Sequence, residues 1–104
     1  MAYAKRVDAN QSAVVKALRA TGATVEIISS VGDGVPDLIV GFRGFNFLFE
    51  VKDGDKPQSK QRLTGAEAEW HRDWRGKVSI VYSPSDAVRK LWNLYTDCLP
   101  AGKG

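Results

Sequence analysis

Two apolar runs, Leu38-Ile39-Val40 and Phe47-Leu48-Phe49, flank a two-residue turn at Arg43-Gly44, a spacing that predicts a β-hairpin between Phe42 and Phe45. Pairing Phe42 with Phe45 fixes every other pair of the hairpin. It places Asp37, at the start of the first strand, opposite Glu50 near the end of the second, with Cβ atoms roughly 5 Å apart. Strand side chains alternate, so Glu50 and Lys52 share one face while Phe47, Phe49 and Val51 take the other. Two carboxylates set opposite each other repel. A divalent cation between them removes the conflict, and carboxylate oxygens suit Mg²⁺ or Mn²⁺.

Each residue also has a plainer reading. Glu-x-Lys segments are common on solvated strand faces, and Asp37 follows a tight Gly32-Asp33-Gly34-Val35-Pro36 turn in which an aspartate often bonds nearby backbone N–H groups. A turn role accounts for Asp37 alone; it leaves the shared register with Glu50 and Lys52 unexplained.

The rest of the chain reads as one uninterrupted domain spanning 1–104, with flexible ends expected at about 1–7 and 97–104. Val14, Ala17 and Leu18 predict a first helix from about Asn10 to Ala20, stopped by Gly22. Thr24 to Ser29 is expected as a strand, and Asp53 to Arg62 as a polar loop. Thr64-Gly65-Ala66-Glu67 matches a capping box, which gives Glu67 the local role of closing a helix start. Trp70 and Trp74, four residues apart on that helix, are expected to bury against the sheet, with base stacking as the alternative, and His71 to lie at the surface. Lys77 to Tyr82 is a fourth strand, and a last helix runs from near Ser85 to about Tyr95 with Val88, Leu91, Trp92 and Tyr95 as its apolar stripe. The order is α-β-β-β-α-β-α, an α/β domain whose mixed β-sheet is flanked by helices.

Pro36-Asp37 followed by Glu50-Val51-Lys52 resembles the PD-(D/E)xK nuclease superfamily. Gly34-Val35-Pro36-Asp37-Leu38 with Phe49-Glu50-Val51-Lys52-Asp53-Gly54 is similar to its VRR-NUC family, in particular to small phage-type standalone domains. The likeness continues through Lys56-Pro57, Ser59, Leu63-Thr64 and Trp70-His71. It implies a restriction-endonuclease-like core, with Asp37, Glu50 and the Val51 backbone carbonyl as metal ligands and Lys52 as the catalytic lysine. It also implies structured DNA, branched junctions or flaps, as substrate. The chain departs from the family pattern in two places. Asn10 to Val14 on the first helix carries no acidic residue, with Asp8 lying before it, and Glu67 stands where the family often has glutamine.

Composition is compatible with that function. At 43% hydrophobic and 26% charged residues, 104 residues make one globular domain. No apolar run reaches membrane-spanning length, no signal-peptide pattern opens the chain, and Cys98 is the only cysteine. A reducing, intracellular setting is therefore expected, with Cys98 semi-buried near a helix end; the resemblance to phage-type domains implies the cytoplasm of a prokaryotic cell and a phage or prophage gene. A single histidine argues against a zinc site. Net charge is only +3, but Lys56, Lys60 and Arg62, then Arg72, Arg75 and Lys77, follow the Glu-x-Lys strand. A second basic group, Lys5, Arg6, Lys16 and Arg19, lies near the N-terminus. These are either solvated faces or phosphate contacts; Lys56, Lys60, Gln61 and Arg62 are the nearest candidates for DNA.

The expected activity is divalent-metal-dependent endonucleolytic hydrolysis of phosphodiester bonds, selective for DNA structure such as Holliday junctions or flaps. A non-catalytic nucleic-acid-binding module retaining the same fold is the alternative, and a structural subunit of a larger complex a third. Cutting two strands symmetrically calls for a homodimer. Trp92, Tyr95, Phe42 and Phe45 are the candidate interface residues, unless they complete a monomeric core.

Overall fold

The computed structural model describes residues 9–101. Four strands, β1 (Thr24–Ile27), β2 (Leu38–Phe42), β3 (Phe45–Val51) and β4 (Val78–Val81), form one sheet in chain order. β1 and β3 each run antiparallel to β2, and β4 returns parallel to β3, so the sheet is mixed. The helices are α1 (Ala9–Ala20), α2 (Gln58–Gln61), α3 (Gly65–Asp73) and α4 (Pro84–Cys98).

The hairpin turns as its sequence requires. Phe42 pairs with Phe45, and Arg43 and Gly44 hold φ of +50° and +90°. A two-residue turn with both central residues left-handed matches the twist of the strands it joins. Arg43 lacks glycine's freedom there, and its guanidinium lies over the rings of Trp92, Phe42 and Tyr95 at 4.7, 5.3 and 5.4 Å.

Period-two alternation divides the sheet into an inner and an outer face. Leu38, Val40, Phe42, Phe47, Phe49, Val51, Val25 and Val81 point inward and pack with Val14, Val15 and Leu18 of α1 and Ala87 and Leu91 of α4. On the outer face Ile39, Leu48 and Asn46 share an open apolar cleft with Trp70 and Trp74. At each sheet edge a cation from an inner helix donates to an outward-facing carbonyl. Lys77 and Val81 turn their carbonyls to β3, so the Ile80 carbonyl faces the free edge. There it accepts from Lys90 of α4, which is also paired with Asp86 at 3.1 Å. Asp86 in turn accepts the Tyr82 N–H at 3.0 Å. At the other edge Arg19 of α1 donates to the Val25 carbonyl at 2.8 Å.

Several expectations need correction. β1 ends at Ile27, because Ser29–Val31 closes into a 3₁₀ turn. The segment expected as a polar loop contains the short α2. α4 begins at Pro84, with the Ser83 hydroxyl accepting from the Asp86 N–H, and continues through Cys98 rather than ending near Tyr95. Trp74 is not buried: it caps the end of α3 and is 46% exposed, its ring stacked on the half-buried Trp70 at 4.5 Å. Of the aromatics named for an interface, Phe42 is only 4% exposed and makes edge contacts with Trp92 and Tyr95, while Trp92 stays 39% exposed. Cys98 is half-buried at the end of α4, as expected. Among the described residues no helix is long and apolar enough to cross a membrane. Lys5, Arg6, Asp8 and the expected end at 1–7 lie outside the described residues, as do 102–104 at the other end.

Candidate metal centre

The hairpin register carries Asp37 to the end of the β2–β3 ladder, one position beyond the Leu38–Phe49 pair. Asp37 therefore lies across from Glu50, and one of its carboxylate oxygens accepts the Val51 N–H at 2.9 Å. The turn before it is held by a close approach. Gly34 has φ +83°, and a Cβ there would lie 2.3 Å from the Ala66 carbonyl oxygen at the start of α3. The same contact brings the first turn of α3, and with it Glu67, against the hairpin.

Glu50 is a buried carboxylate, 3% exposed, between Asp37 on one side and β4 on the other, where it pairs with Ile80. Its Oε1 has no hydrogen-bond partner among the described residues. Burial, then the negative charges of Asp37 and Glu67, push its pKa from 4.5 up to about 9. In the protein without a cation Glu50 therefore keeps its proton at neutral pH.

Lys52, on the same face of β3, places its Nζ 3.6 Å from Glu50 Oε2 and 2.8 Å from Glu67 Oε1. Burial on its own lowers the ammonium's pKa, but the Glu67 hydrogen bond and charge outweigh it, with Glu50 and Asp37 adding to the effect, and the pKa lies above the usual lysine value. Glu67 shows the converse. Burial raises its carboxyl, while the Lys52 hydrogen bond and the Thr64 N–H overcome that and hold it below the usual range. The capping box expected at Thr64 and Glu67 is present, and the oxygen that closes it is also the one that accepts from Lys52.

The backbone behind Lys52 is fixed from α1. Asn10 Nδ2 donates to the Lys52 carbonyl at 2.8 Å and to the Tyr82 carbonyl at 3.3 Å. The first helix thus reaches the centre with an amide, consistent with its lack of a carboxylate. His71, expected at the surface, is half-buried on α3 with Nε2 enclosed and unpartnered among the described residues. Burial lowers its pKa.

The remaining candidates lie farther out. Lys56, Lys60 and Arg62 are exposed on the segment around α2. The Gln61 side chain folds back to donate to the carbonyls of Gly54 and Lys56, holding that segment in shape. Lys16, Arg75 and Lys77 are exposed, Arg72 pairs with the adjacent Asp73 at 3.0 Å, and Arg19 is engaged at the β1 edge.

Among the described residues no three His, Cys, Asp or Glu side chains are grouped as a ready metal cage. Two carboxylates and a peptide carbonyl make an all-oxygen donor set, which fits a hard divalent cation. The orphaned Glu50 oxygen is the observation in favour of such a group, since a buried polar oxygen without a partner is costly. Three contributions gave no clear sign in the sequence. The Glu67 carboxylate is hidden behind its capping signature, Asn10 looks like an ordinary residue of an amphipathic helix, and the half-burial of His71 depends on how α3 docks. Compared with family models, curated proteins and solved structures, the chain matches none.

Proposed function

We propose that this chain is a divalent-metal-dependent DNA endonuclease that hydrolyses phosphodiester bonds, on a restriction-endonuclease-like core of VRR-NUC type. The observation that carries the reading is the pairing of buried Glu50, one oxygen unpartnered, with Asp37 and the Lys52 ammonium. No structural requirement of the hairpin explains these three together.

Asp37 and Glu50 would hold Mg²⁺ or Mn²⁺, with the Val51 carbonyl as a further ligand. When bound, such an ion supplies a Lewis acid for the phosphate and lowers the pKa of a coordinated water. The protein's own side chains do the rest. Lys52 presents a compact ammonium beside the carboxylates, where it orients the attacking water or stabilises charge on the phosphoryl oxygens. Low exposure at Glu50 limits competing solvent and keeps the charges strongly coupled. Exposed Lys56, Lys60 and Arg62 contribute sequence-independent phosphate contacts, and branched or flap DNA suits a domain that recognises shape. A cytoplasmic setting and a homodimer belong to the same reading. With Phe42 in the monomer core, exposed Trp92 is the principal residue of the expected interface. Sedimentation at micromolar concentration is expected to show the dimer, and a monomer that cuts both strands of a junction in one encounter would refute it.

The test is a Mg²⁺ and Mn²⁺ titration of cleavage across duplex, single-stranded, flap and four-way-junction DNA. Asp37→Asn and Glu50→Gln are expected to abolish cleavage while leaving the fold intact, and Lys52→Ala to reduce turnover more than cation affinity. Wild-type rates in either carboxamide variant would sink the assignment. DNA binding without cleavage at any cation concentration would establish the non-catalytic alternative.

A further inference from the structure

We propose that Glu67 is a positioning residue, fixing the Lys52 ammonium at the metal centre from the first turn of α3; this rests on the nuclease reading above. A lysine side chain has four rotatable bonds, so an ammonium that must meet a reacting group benefits from a rigid partner. Glu50 is a poor one. It lies 3.6 Å away, against 2.8 Å for Glu67, and its oxygens are needed for ligation.

Glu67 has the required rigidity. Its Oε1 accepts the Thr64 N–H at 2.9 Å and Lys52 Nζ at 2.8 Å. The reciprocal half of the box, Glu67 N–H to the Thr64 hydroxyl at 3.2 Å, fixes the backbone of the same turn. The first turn of α3 is placed by a close approach, Gly34 lying directly against the Ala66 carbonyl. The ammonium is therefore referenced to the turn that launches Asp37.

Glu67→Ala removes the partner, whereas Glu67→Gln keeps an oxygen able to accept both hydrogen bonds. Thr64→Ala is the control: it removes the hydroxyl of the cap and leaves the Glu67–Lys52 contact. In the wild type, ¹⁵N-labelled and free of metal and DNA, a slowly exchanging Lys52 ammonium resonance is expected. It should vanish in Glu67→Ala and return in Glu67→Gln. In cleavage assays Glu67→Ala should lower kcat by roughly 10- to 100-fold, the range typical of residues that orient a metal-site group. KM for DNA and calorimetric Mn²⁺ affinity should not change, and Glu67→Gln should restore most of the lost turnover. Thr64→Ala should melt earlier, keep the slowly exchanging Lys52 resonance and lose far less turnover than Glu67→Ala.

An unchanged ammonium resonance in Glu67→Ala overturns the proposal whether or not the chain cleaves DNA. Unchanged or increased kcat in that variant overturns it too, the latter pointing to an inhibitory contact. Loss of Mn²⁺ affinity in Glu67→Gln equal to that in Glu50→Gln makes Glu67 a ligand and overturns it as well. A wild type that never cleaves, but whose ammonium signal follows Glu67, upholds the positioning and removes the nuclease reading alone.

Discussion

Because Glu50 keeps its proton to about pH 9 when folded but loses it near 4.5 when exposed, it makes stability depend on pH in an unusual direction. The folded chain holds a proton that the unfolded chain has released between those values. Its contribution is therefore complete below about pH 4.5 and is lost as pH rises toward about 9. His71 acts oppositely, since burial lowers its pKa, but its influence ends near its ordinary 6.5. Lys52 acts above 10.5. Between pH 7 and 9 Glu50 dominates, and urea denaturation in EDTA should show wild-type stability falling by at most about 1.4 kcal/mol per pH unit, the limit for one proton. Glu50→Gln should flatten that slope and be the more stable protein at pH 8.5. A flat wild-type profile would mean that Glu50 is already ionised in the fold.

At the scale of elements, what could be read in advance was what depends on short-range periodicity. The hairpin register, and with it the Asp37–Glu50–Lys52 constellation, follows from a two-residue turn and alternation along β3, both local properties. The capping box at Thr64 was legible for the same reason. Trp74 and His71 were misplaced because a helix pattern shows which residues share a face but not how far that face extends over the sheet. α3 ends at Asp73, so Trp74 emerges at the rim while His71 is enclosed. Glu67's contact with Lys52 depends on the docking of α3, and that docking hangs on Gly34. Gly34→Ala should cost about 2–4 kcal/mol, from a left-handed φ imposed on a residue with a Cβ and a backbone clash. Beyond the loss of stability, it should lower cleavage at temperatures where the protein remains folded, because α3 must shift outward. A variant that is destabilised yet fully active below its melting transition would show that α3 docking does not tune the centre.

Across the whole molecule, the sheet separates two tasks. Its inner face packs against α1 and α4 from opposite ends of the sequence and holds the core, while the centre is assembled from one continuous stretch, Gly34 to Glu67, and is steadied from α1 by Asn10. An open four-stranded sheet also has two unpaired borders, each a template for recruiting strands from other molecules. Arg19 on the Val25 carbonyl and Lys90 on the Ile80 carbonyl put a positive charge at each border. Removing both, as Arg19→Ala with Lys90→Ala, should make the folded protein scatter light at micromolar concentration well below its melting temperature, whereas each single change leaves one border guarded. A double variant that stays clear would assign solubility to net charge instead. A turbid double variant would make the two cations gatekeepers, the reason an open-ended sheet does not grow into a fibre.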